Sequence, residues 1–69
     1  MNKVHYTVSR LQNNNMKTQL KNVLNDIEGV GMVNIDMARG SIEIGYDDAT
    51  DISLIKQCIE DVGCKIEKR

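Results

Sequence analysis

The sequence predicts an α+β fold of order βαββαβ, in which a four-stranded antiparallel sheet carries two helices on one face. Three observations predict it. Short segments alternate apolar and polar residues, which is the period of a half-buried strand. Two longer segments place their apolar residues at helical spacing. Each segment has a single apolar face, and the economical packing stacks both helices on one side of the sheet.

In residues 3–9, Val4, Tyr6 and Val8 alternate with His5 and Thr7. The run 9–15 reads Ser-Arg-Leu-Gln-Asn-Asn-Asn, a polar loop rich in turn and cap formers. Met16, Leu20, Val23, Leu24 and Ile27 then share one helical face, with Asn13, Asn14 and Asn15 as N-cap candidates and Gly29 as the stop. From Val30 to Met37, Val33, Ile35 and Met37 alternate with Met32, Asn34 and Asp36. Ala38-Arg39-Gly40 makes a turn in which Gly40 is free to take positive φ, and Ile42, Ile44 and Tyr46 alternate beyond it, so the two runs form a hairpin. Thr50 or Asp51 caps a second helix whose apolar face is Ile52, Ile55, Cys58, Ile59 and Val62, and Gly63 ends it. Cys64 to Glu67 is a last short strand with Ile66 inward, and Lys68-Arg69 is a tail. This is the ferredoxin-like, or split βαβ, arrangement. Its open face carries Lys3, His5, Thr7, Asn34, Asp36, Ser41, Glu43, Lys65 and Glu67, polar as an open face should be.

At 69 residues the chain is read as one domain, residues 1–69, because so short a chain cannot form two cores. A hydrophobic share of 41% and a charged share of 28% place it in the globular rather than the disordered class. Tyr6 and Tyr46 are the only aromatics, which leaves no stacking platform for bases. The net charge of −1 argues in the same direction, so no nucleic-acid partner is expected. No apolar run approaches a membrane span, and the first residues contain no apolar stretch of a secretory signal, which points to the cytoplasm; a monomer is expected. Cys58 and Cys64 are too few to staple a secreted fold and read as reduced thiols. A pocket large enough for catalysis would consume much of so small a core, so the chain is not read as an enzyme.

The order and spacing of four runs resemble the heavy-metal-associated domain, the module of small copper chaperones and of metal-pumping P-type ATPases. They are Glu28-Gly29-Val30; Val33-Asn34-Ile35-Asp36 running into Gly40; Ile42-Glu43-Ile44-Gly45-Tyr46-Asp47; and Ile59-Glu60-Asp61-Val62-Gly63. The resemblance extends from about Val4 to Ile66. The family's chemistry sits in the loop after the first strand, usually Gly-Met-x-Cys-x-x-Cys. Counting back from Gly29-Val30 without a gap puts Arg10 and Leu11 at the Gly-Met positions, and Asn13 and Met16 at the two cysteine positions. The family's fold carries over, whereas its paired thiolates do not. An amide oxygen is a hard ligand for an ion such as Cu(I), and a thioether is soft but neutral.

Met16 is therefore either a thioether ligand at the helix start or simply the first core residue of that helix. Cys64, just after Gly63, would lie beside the loop after the first strand, where its thiol faces Met16 and Asn13; the bland alternative is a small apolar residue at the sheet edge. Cys64, Met16 and Asn13 are the expected metal ligands, with Cu(I) or another soft ion as the cargo. Cys58 reads as core packing, and His5, alone on the open face, lacks partners for a zinc site. Asp47, Asp48 and Asp51 lack the spacing of a calcium loop. Gly29 and Gly31 lack the lysine of a phosphate loop, and Ser9 and Ser53 lack a base. Two functions stay open. One is a degenerate soft-metal trafficking domain whose partner is a metal-transporting ATPase or another domain of the same family. The other is an interaction module that keeps the fold without metal and docks through residues 10–17, where Leu11 is expected to be exposed.

Overall fold

The computed structural model describes residues 2–67. Its elements are β1 (Asn2–Ser9), α1 (Asn14–Asn25), β2 (Val30–Asp36), β3 (Ser41–Tyr46), α2 (Ile52–Val62) and β4 (Lys65–Glu67), the order read from the sequence. The Lys68-Arg69 tail lies outside the described residues.

The strands form one antiparallel sheet in the order β2-β3-β1-β4. Register follows the apolar pattern. Val4 stands opposite Ile44, Tyr6 opposite Ile42 and Val8 opposite Ile66, while Val33 and Ile35 continue the rows on β2. The side chains alternate between faces, so these rows make one apolar face, on which α1 and α2 lie. Leu20 and Leu24 of α1, Ile42 and Ile44 of β3, and Ile55 and Ile59 of α2 are completely buried. Each contributes about 1.5–3 kcal/mol by leaving water.

The helix ends are local chemistry. The Asn13 side-chain oxygen accepts the Met16 N–H at 2.9 Å, and the Asp51 side-chain oxygen accepts the Ser53 N–H at 2.9 Å. At the end of α2, Gly63 adopts φ 111°, its N–H donates to the Glu60 carbonyl at 3.0 Å, and the Cys64 N–H donates to the Ile59 carbonyl at 3.3 Å. Together these bonds make the closure typical of a glycine-terminated helix, and they fix Cys64 at its foot.

Three boundaries differ from the sequence reading. α1 stops at Asn25 with Asp26 as its cap, not at Gly29, because the Ile27 N–H reaches back only to Leu24 and tightens the last turn. Gly29, at φ 86°, instead serves the turn into β2. Met37 lies in the hairpin turn beyond β2 rather than in the strand, and Cys64 precedes β4. That hairpin turn leans on the end of β1, where the Val8 N–H donates to the Gly40 carbonyl at 2.7 Å.

Candidate functional site

One end of the molecule gathers the loop after β1, the start of α1, the end of α2 and the approach to β4. Ser9 is paired with Lys65, so β1 and β4 reach this end side by side. Beyond Ser9 the chain turns sharply. Arg10 holds φ 68°, the one left-handed non-glycine residue among the described residues. Such a backbone costs a side-chain-bearing residue about 1–2 kcal/mol. The strain falls at the position that the gap-free count sets opposite the glycine of Gly-Met-x-Cys-x-x-Cys.

The turn at Arg10 sends Leu11 inward. Leu11 is half-buried and packed against the core, contrary to the expectation of an exposed residue. Burying even part of an aliphatic side chain outweighs displaying it on a loop. The large apolar side chain that is exposed among the described residues is Leu54 of α2, at 47%.

Asn13 is the N-cap of α1, with its amide oxygen turned to the Met16 N–H. Met16 is half-buried and packs against the core, and its terminal methyl reaches to 3.7 Å from where a β-carbon on Gly63 would stand. The next residue, Cys64, is 4% exposed and belongs to the core cluster. Burial pushes its thiol pKa above the ordinary value. Met16 and Cys64 thus share one end of the fold, with Asn13 at the head of the same helix.

The remaining candidates lie elsewhere. Cys58 is half-buried on α2 and packs against the core, as read from its helical spacing; burial and then the Asp61 carboxylate raise its pKa. His5 projects from the open face, its Nε2 3.7 Å from Oε2 of Glu43 on the neighbouring strand. Asp47 and Asp51 spend side-chain oxygens on the N–H groups of Ala49 and Ser53. Two shallow depressions, both lined by His5, Arg39 and Ser41, lie on the polar face and its β2 edge, not at Met16 and Cys64. Among the described residues no three His, Cys, Asp or Glu side chains are grouped to hold an ion. What the end of the fold offers is one thiol and one thioether. Both are soft donors, but the thiol must lose a proton that its burial helps it keep, so this pair grips more weakly than two thiolates.

No family model and no curated protein matches the chain. Solved structures do. A CopZ metallochaperone is 25% identical, with a TM-score of 0.89 over 96% of this chain and 100% of the other. A CsoZ metallochaperone is 22% identical, with a TM-score of 0.90 over 97% of each chain. A copper-binding domain from HMA7, a P-type ATPase, is 20% identical, with a TM-score of 0.86 over 97% of this chain and 92% of that one. These likenesses are to metal-handling domains rather than to enzymes, and they span the whole βαββαβ unit.

Proposed function

We propose that this chain, which has the copper-chaperone-like, heavy-metal-associated fold without its Cys-x-x-Cys, is a metal-trafficking domain reduced to a weak soft-ion site. The Cys64 thiolate is the main ligand and the Met16 thioether the second, with the Asn13 amide as an outer oxygen. The cargo is Cu(I) or an ion of similar softness. The observation that carries this reading is the approach of the Met16 methyl to Gly63, directly before Cys64. The same reading makes residues 1–69 a single cytoplasmic, monomeric, non-catalytic domain. Its partner is a domain of the same fold, such as one on a metal-transporting ATPase. A titration of the reduced protein with Cu(I) against a competing chelator tests it. Copper should be retained, and Cys64→Ser and Met16→Ala should each weaken retention; equal retention by all three proteins refutes the site.

Two observations favour the second reading, an interaction module without metal. Cys64 is buried, which raises its thiol pKa, while the Asn13 oxygen already serves its helix. On that reading residues 10–17 dock a partner directly. Backbone shifts confined to residues 10–17 and 63–65 on adding a same-fold partner, with no copper retained, would select it.

A further inference from the structure

We infer that residues 10–12 form a latch over Cys64, with Leu11 as the part that must lift before a reagent or a soft ion reaches the thiol. The metal reading supplies the purpose of such a latch, but its existence does not depend on it. The last pair between β1 and β4 is Ser9 with Lys65, so Arg10 and Cys64 are the next residues out on the two chains. At that point Arg10 takes φ 68° and leaves the strand. Leu11 then folds against the cluster that contains Cys64, which is only 4% exposed. Among the described residues no loop hydrogen bond joins Arg10, Leu11 or Gln12 to another element. The loop is held by one half-buried side chain and by the Asn13 cap that follows. Its own backbone meanwhile sits in a region that L-residues resist. A segment with few bonds and one apolar anchor opens locally, well before the fold as a whole.

The test uses the full chain carrying Cys58→Ala, so that Cys64 is the one thiol, and the rate at which iodoacetamide alkylates it at fixed pH. The sulfur displaces iodide and its proton goes to solvent. Leu11→Ala should raise the rate about tenfold, and Leu11→Met, which keeps the volume, should leave it within about twofold. Both rates should stay flat in urea below the unfolding transition. A rate indifferent to Leu11→Ala, or one that climbs with urea in step with global unfolding, overturns the latch. Alkylation needs no metal affinity, so loss of copper binding alone would remove the metal reading and leave the latch standing.

Discussion

The Thr50 hydroxyl donates to the Glu28 carbonyl at 2.9 Å, tying the loop before α2 to the turn after α1. The Asp47 N–H strengthens the tie by donating to the Gly29 carbonyl at 3.0 Å. Gly29 is trapped between these contacts. It holds φ 86°, and a β-carbon there would collide with the Thr50 hydroxyl and the Asp47 carboxylate. Gly29→Ala should therefore lower the unfolding free energy in urea by about 2–4 kcal/mol. Thr50→Val, which removes only the hydroxyl donor, should cost about 1 kcal/mol.

Gly40 faces a related constraint at the other end. At φ 63°, a β-carbon on it would come within 2.6 Å of the Val8 carbonyl oxygen. Because backbone cannot move aside as a side-chain tip can, Gly40→Ala should cost about 1–3 kcal/mol in the same measurement.

Arg10 is the converse case. Its φ of 68° suits glycine, so Arg10→Gly should leave stability unchanged or raise it by up to about 1 kcal/mol. A loss of more than that would mean the Arg10 side chain holds the loop.

Stability should decline in alkali. Burial raises the pKa of Cys64 and of Cys58, and it raises that of Tyr6, aided by Tyr46. The folded protein then keeps protons that the unfolded chain releases, so the unfolding free energy falls as pH rises past about 8.5, the ordinary thiol value. Cys64→Ser should flatten that decline. Tyr6, 8% exposed, has a buried hydroxyl without a protein partner among the described residues. Tyr6→Phe should therefore keep or raise stability at neutral pH, by up to about 1 kcal/mol.

The fold was legible because its signals are local and repeated. The alternation of Ile42 and Ile44, the 16-20-23-24 face of α1, the caps at Asn13 and Asp51, and the stop at Gly63 each follow from a few neighbouring residues. The end of α1 was less so. Ile27 continues the helical spacing, but its N–H closes a tighter turn and Gly29 is recruited by the distant Thr50 and Asp47. Leu11 was misread for a similar reason. A leucine in a polar loop looks exposed until the left-handed turn at Arg10 is known, and an arginine gives no warning of that backbone. The site was legible only as two sulfurs at one end. How deeply Cys64 is buried depends on its place in the core cluster and is not written in its neighbours.

The proposed site requires the Cys64 and Met16 sulfurs to hold one soft ion together. The most direct measurement is the NMR shift of the methionine ε-methyl groups as Cu(I) is added under reducing conditions. The Met16 methyl should shift with one equivalent while those of Met32 and Met37 stay in place, and the change should vanish in Cys64→Ser. A Met16 methyl that does not move, or that moves just as far without Cys64, contradicts it.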